Sequence, residues 1–144
     1  MMEALDRRLA RFGGPAHAIL RIGAALLFLQ HGVMKLFGWL GGVDGAGGTV
    51  ELMSIYGLAG VIEVFGSILL AIGLFTRPVA AIAFVEMLAA YAIAHMPQGG
   101  FPVQNQGELA LLFALVWLFI ATNGPGPWSV DRRLAHRGTT RTVT

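Results

Sequence analysis

Arg21-Ile-Gly-Ala-Ala-Leu-Leu-Phe-Leu-Gln-His-Gly-Val-Met-Lys-Leu-Phe-Gly-Trp39 decides how this chain folds. The stretch is apolar enough to enter a bilayer, yet it carries Arg21, Gln30, His31 and Lys35. A charge inside a membrane span costs several kcal/mol unless it snorkels, meets water or finds a partner. At about 100° per residue, Arg21, Phe28, Gly32 and Lys35 fall on one side of a helix, with His31 on its shoulder. The helix therefore has a polar stripe, and the rest of the chain must supply something for that stripe to face.

Composition agrees with a membrane setting. Of 144 residues, 56% are hydrophobic and only 12% charged, against about 25% charged in soluble domains; the mean hydropathy is +0.69. There are no cysteines, which excludes disulfides, thiolate metal sites and dithiol redox chemistry. The isoelectric point near 9.7 reflects where the arginines sit along the chain, and it implies no nucleic-acid partner.

Outward from the first apolar segment (16–40) lie three more, at 57–75, 78–96 and 105–123. Each is close to the ~20 residues that cross a hydrocarbon core. Arg7, Arg8 and Arg11 precede the first segment as in a signal peptide. However, Arg21 interrupts the apolar run and no small-x-small site follows promptly, so a retained helix is expected. Period-2 alternation is absent, which argues against spanning strands. The fold class expected is all-α: an integral membrane four-helix bundle, multi-pass in the cell (inner) membrane, with the lipid bilayer as its first partner.

Lys and Arg favour the cytoplasmic side. They occur before the first segment (Arg7, Arg8, Arg11), between the second and third (Arg77), and in the tail (Arg132, Arg133, Arg137, Arg141). The loop 41–56 carries Asp44 and Glu51 without Lys or Arg, and 97–104 carries no charge. An even number of spans puts both termini on one side, and all three basic sites place them in the cytoplasm. The expected organisation is a cytoplasmic N-terminal segment at 1–15, a four-span domain at 16–134 and a disordered cytoplasmic tail at 135–144. The Gly-rich run 41–48 reads as a flexible loop, since it lacks the strand and the Lys-Ser/Thr ending of a phosphate cradle.

Depth, at ~1.5 Å per residue, sorts the polar residues into layers. Arg21 and Glu86 share a lower layer and are expected to form a structural ion pair. His31, Lys35, Glu63 and Glu108 form an upper layer, with His95, Gln104 and Asn105 above it. Plainer roles exist for several of these. Lys35 and Arg21 are near enough to helix ends to snorkel, and Glu108 suits the first turn of a helix. Buried carboxyls at Glu63 and Glu86 can serve only to join helices. His31 and His95 differ in helical phase, so no metal site is expected. Gly60, Gly66, Ser67 and Gly73 give the second helix a small face for close packing. Leu112, Leu115, Trp117 and Phe119 give the fourth a bulky face for lipid or a partner.

Four segments in order now carry a family resemblance: Arg21 with His31-Gly32 and Lys35; Gly60-Val-Ile-Glu-Val-Phe-Gly66 with Gly73-Leu-Phe-Thr-Arg-Pro78; Asn105-Gln-Gly-Glu108; and Gly124-Pro-Gly-Pro-Trp-Ser-Val-Asp131. Over about 16–134 the chain resembles the DoxX family of small four-helix membrane proteins. The family name comes from a subunit associated with quinol oxidation and thiosulfate:quinone oxidoreduction. Some relatives are linked to membrane complexes that handle oxidative stress, and others resemble assembly factors. The resemblance implies a quinone-linked oxidoreductase subunit, or a component of such a complex, with a small-molecule site in the outer half of the bundle.

In that reading no covalent cofactor is expected and a quinone or small anion is the ligand. His31 donates a hydrogen bond and shuttles a proton, with Glu63 or Glu108 as relay. Lys35, Gln104 and Asn105 complete the ligand site, and a redox partner or a homo-oligomer completes the complex. The alternative is a non-enzymatic membrane factor, either an assembly subunit or a small-solute transporter, whose buried ions fix the bundle.

Because native cysteines are lacking, single cysteines at Gly45, Gly99 and Thr139 test the topology in intact cells. An impermeant thiol reagent is expected to label Gly45→Cys and Gly99→Cys and to spare Thr139→Cys; the opposite pattern would invert the orientation.

Overall fold

The computed structural model describes residues 2–139, and among them every regular element is helical, with no strand. In chain order these are α1 (Met2–Ala10), α2 (Gly13–Phe37), α3 (Ile55–Ile72), α4 (Thr76–Ala90), α5 (Glu108–Asn123) and α6 (Val130–Thr139). The four apolar segments correspond to α2, α3, α4 and α5. Beyond Ala90, α4 continues through a wider turn at Tyr91–His95 and a tighter one at Met96–Gln98. Three helices, Gly13–Phe37, Ile55–Ile72 and Thr76–Gln98, are long and apolar enough to cross a membrane; Glu108–Asn123 is apolar but shorter.

α2 packs along α3 and α4 along α5, and these are the two most extensive contacts; α3 and α4 touch less, and α2 and α5 less again. Gly32 explains the first pair. A Cβ at that position would collide with Val64 and with the Glu63 side chain, so only a glycine lets α2 approach α3 this closely. Between the pairs lies a core of alanines and rings: Ala25, Phe28, Leu70, Ala80, Ala83, Trp117 and Ile120 are fully buried. The Phe28 ring lies 5.4 Å from Phe113 and 5.3 Å from Trp117, centroid to centroid. Trp117 is thus at the centre of the molecule and not on a lipid face. It stands on the opposite side of α5 from Leu112 and Leu115, which are 58% and 63% exposed.

The ends of the helices depend on charged side chains from elsewhere in the chain. α3 ends at Gly73 in a left-handed conformation (φ +70°) that carries its N–H back to the carbonyls of Leu69 and Leu70. Only two residues, Leu74 and Phe75, separate Gly73 from α4. The residue before α4, Phe75, provides no side-chain cap. Asp131 of α6 provides it instead, accepting from the N–H groups of Phe75 (2.9 Å) and Thr76 (2.8 Å). Burial acts against the Asp131 carboxylate, but those two hydrogen bonds and nearby Arg21 hold it below the usual carboxylate range. Arg77 donates to the carbonyls of Ala121 (2.9 Å) and Thr122 (2.6 Å), closing the C-terminus of α5.

Arg21 does the same on a larger scale. Its buried guanidinium donates to Leu70 and Ala71 at the end of α3, and to Pro125, Pro127 and Trp128 in the segment after α5. The Arg21–Glu86 ion pair expected from depth is therefore not formed. The carbonyls at a helix C-terminus form the negative end of the helix dipole and need donors of their own. A carboxylate several turns away cannot replace that set.

The segment before residue 16 is helical over most of its length, as α1 and the start of α2. Two smaller expectations change. The Gly-rich loop is tied down by Asp44, whose Oδ1 accepts from Ala46 (2.9 Å) and Gly48 (2.8 Å), and these bonds hold its carboxylate below the usual range. Finally, α6 continues to Thr139, so 135–139 are helical where a disordered tail is expected; the remainder of that tail, 140–144, lies outside the described residues.

Arg21→Gln strands at least three of five acceptors and should cost about 3 kcal/mol or more. Arg21→Lys should recover little, because an ammonium cannot fan its donors over three strands of backbone. Thermal unfolding in detergent, combined with Glu86→Gln in a double-mutant cycle, should give additive losses. A large coupling between positions 21 and 86 would contradict the assignment.

Candidate functional site

Glu63 lies ten residues before Gly73, and Glu86 lies ten residues after Thr76. The short turn joining α3 to α4 therefore puts the two carboxyls at the same level on neighbouring antiparallel helices. Lys35 joins them from α2. Its Cβ lies beside Gly60, one turn from Glu63. Side chains lean toward the N-terminus of their helix, so the Lys35 stem descends to the level of Glu63. The Lys35 Nζ to Glu63 Oε1 distance is 2.5 Å, with 19% of the Lys35 side chain and 1% of the Glu63 side chain exposed.

The cluster is not satisfied internally. Glu63 Oε2 and both carboxyl oxygens of Glu86 are buried without a hydrogen-bond partner, although Glu86 is within electrostatic range of both Glu63 and Lys35. One ammonium balances one carboxylate, so the three groups are electroneutral when one carboxyl holds a proton. Buried polar groups left unpaired in low dielectric are costly. Their presence here points to a function beyond holding helices together.

Beside them is a groove of about 600 Å³ between the C-terminal half of α4 and the N-terminal half of α3. Ile62, Ile82, Val85 and Ala89 give its walls an aliphatic character, Tyr56 stands at one end, and Lys35 and Glu86 bring charge to it. The groove follows from the packing already described. α3 and α4 start from a tight turn and touch less extensively than α2 with α3 or α4 with α5, while Ala59, Ala81, Ala89, Ala90 and Ala94 leave the space between them open.

The expected site residues are distributed as follows. Lys35 and Glu63 come together, and Glu86, assigned to the lower layer by counting from Pro78, belongs with them. Counting from the α3–α4 turn reveals this from sequence alone. His31 is adjacent but faces elsewhere: its ring stands edge-on to Phe113, centroids 6.0 Å apart, and the groove does not open between His31 and Glu63. Glu108 is exposed in the first turn of α5, the plainer of the two roles considered for it. Gln104 is exposed. Asn105 is buried, but its side chain is used by its own loop, donating to the Gly99 carbonyl and accepting from the Gly107 N–H, both at 2.9 Å. Gln104, Asn105 and Glu108 are not among the groove-lining residues. Tyr56 was not anticipated. An isolated Tyr beside a loop gives no periodic signal, and only the splay of α3 from α4 brings it to the groove.

Known proteins can now be set beside this geometry. The DoxX family model matches residues 16–96, which include Lys35, Glu63 and Glu86. A Haemophilus influenzae protein described as uncharacterized is 42% identical, covering 81% of this chain and 88% of its own length. The uncharacterized membrane protein Rv3486 of Mycobacterium tuberculosis is 30% identical over 88% of this chain and 86% of its own. The inner membrane protein YphA of Escherichia coli is 30% identical over 80% of this chain and 87% of its own. No solved structure matches significantly. With three helices able to span a bilayer and relatives named as membrane proteins, the chain is a multi-pass membrane protein.

Lys35→Met leaves Glu63 stranded and should cost about 3–5 kcal/mol. Lys35→Met combined with Glu63→Leu should recover much of that loss in thermal unfolding. Strictly additive losses would mean that the pair contributes nothing as a pair.

Proposed function

The chain belongs to the DoxX family, and on that premise we propose that it is an inner-membrane four-span bundle, both termini cytoplasmic, that binds a quinone in the α3–α4 groove. It would act as the membrane subunit of a quinone-linked redox complex. The observation that carries this reading is the Glu86 carboxyl, buried and unpartnered beside Lys35 in an otherwise mostly aliphatic groove. A lipid-soluble ring with two carbonyl oxygens needs an apolar slot and a donor at its polar edge. Lys35 Nζ, or a protonated Glu86, is such a donor.

The residues fit that role chemically. Reducing a quinone to a quinol takes up two electrons and two protons; this chain has no cysteine, and the electrons would come from a partner protein. Protons would pass through Glu86 and Glu63, which lie at one level and are within electrostatic range of each other. His31, half-buried beside Lys35, is the next titratable group along α2.

Solvent extraction of the purified, folded protein should release a quinone at close to one per chain. Ala81→Phe, more than one turn N-terminal to Glu86, narrows the groove and should abolish that quinone while leaving the Tm within a few degrees. Glu86→Gln should retain binding but flatten the pH dependence of quinone reduction in the assembled complex. A folded wild-type protein that carries and takes up no quinone would overturn the proposal and favour a non-enzymatic assembly or transport factor.

A further inference from the structure

A second hollow, of about 410 Å³, lies at the opposite end of α4 from the outer loops. It is lined by Pro127, Trp128, Ser129, Arg132, Arg133 and His136 and shares no residue with the α3–α4 groove. It is held in a fixed place. The Asp131 N–H donates to the Gly73 carbonyl at 2.9 Å, and the Asp131 carboxylate caps α4. Ser129 Oγ donates to the Gly126 carbonyl at 2.8 Å, and Arg21 holds the Trp128 carbonyl at 2.9 Å. The first turn of α6 is thus pinned where α3 ends and α4 begins, at the edge of the apolar layer.

Two arginines, Arg132 and Arg133, bring positive charge to the hollow. Asp131, the nearest acidic residue in sequence, directs its carboxylate at Phe75 and Thr76. Among the described residues Arg132 and Arg133 take part in no ion pair. Beside them Trp128 is 60% exposed, an indole at the depth where interfacial aromatics sit among headgroups. Guanidinium groups bind phosphate oxygens through paired, charge-assisted hydrogen bonds. The Trp128 and Pro127 walls give the same hollow an apolar side, which suits a phosphate that carries acyl chains better than a free one.

We propose that this hollow binds the headgroup of an anionic phospholipid, with Arg132 and Arg133 on its phosphate and Trp128 against the start of its acyl chains. The site is independent of the groove and of any redox activity.

The test uses the full-length protein in mild detergent with equimolar phosphatidylglycerol and phosphatidylcholine, with retained lipid counted by native mass spectrometry. The wild type should prefer phosphatidylglycerol. Arg132→Gln/Arg133→Gln should reduce that preference by roughly 30-fold, the combined attraction of two surface arginines for an anionic headgroup. Arg7→Gln/Arg8→Gln makes the same change in net charge on α1 and should leave the preference unaltered. Fluorescence supplies a second readout that does not require the double variant to fold. In a Trp39→Phe background, the emission lost on further changing Trp128→Phe separates Trp128 from the buried Trp117, and that component should be quenched more by brominated phosphatidylglycerol than by brominated phosphatidylcholine. Three results would overturn the proposal: no preference in the wild type, equal losses in the two double variants, or relief of the brominated-phosphatidylglycerol quenching by millimolar inorganic phosphate as effective as that by unlabelled phosphatidylglycerol. The last would identify a site for free phosphate.

Discussion

The fold depends first on how Arg21 spends its charge. A fully buried guanidinium has no carboxylate in contact; it satisfies five backbone carbonyls at the end of α3 and in the segment after α5. One side chain of α2 thereby fixes the far end of α3 and the path of the chain into α6. Once that path is set, Asp131 can reach the start of α4, and Arg77 closes α5. At this end of the molecule charges answer helix termini instead of one another. That is an economical arrangement in low dielectric, where an orphaned carbonyl costs about as much as a lost hydrogen bond.

The positions of the apolar helices were legible because a run of apolar residues states its own length, and α2 to α5 fall where the four apolar segments lie. The pairing of charges was not legible in the same way. Formal charges appear as letters, so Arg21 and Glu86 look complementary, whereas the partial charges on helix-terminal carbonyls have no letter at all. The Asp131 cap was hidden for the same reason, since its partners are the N–H groups of Phe75 and Thr76. Trp117 shows a different limit. A helix that is apolar on every side has no strong amphipathic phase, and only the contacts of α5 with its neighbours reveal which face is buried.

The candidate site was partly readable. Lys35 and Glu63 stand out as charges within apolar segments, and the structure joins them. Glu86 was misplaced because depth was counted separately along each helix. The turn at Gly73-Leu74-Phe75 makes α3 and α4 mirror one another, which places Glu63 and Glu86 side by side. Gln104, Asn105 and Glu108 stand out in a motif, but the motif organises a loop and the start of α5 and lies outside the α3–α4 groove.

The cluster around Glu86 differs from the surroundings of Arg21 in how completely its polar groups are satisfied. All three guanidinium nitrogens of Arg21 have carbonyl acceptors, so that side chain sets geometry. Around Glu86 three carboxyl oxygens lack partners although the surrounding helices are well packed. If the cluster served only to join helices, a single Lys35–Glu63 pair would suffice, and replacing Glu86 by a leucine would remove an unsatisfied burden. The extra carboxyl sits where α3 and α4 part and the chain leaves room between them. The α2–α3 contact is closed by the fit of Gly32 against Val64, and the centre is filled by Phe28, Phe113 and Trp117. An unpaired acid and the adjoining space are therefore consequences of one feature: two helices held together at a tight turn and separated by alanines beyond it.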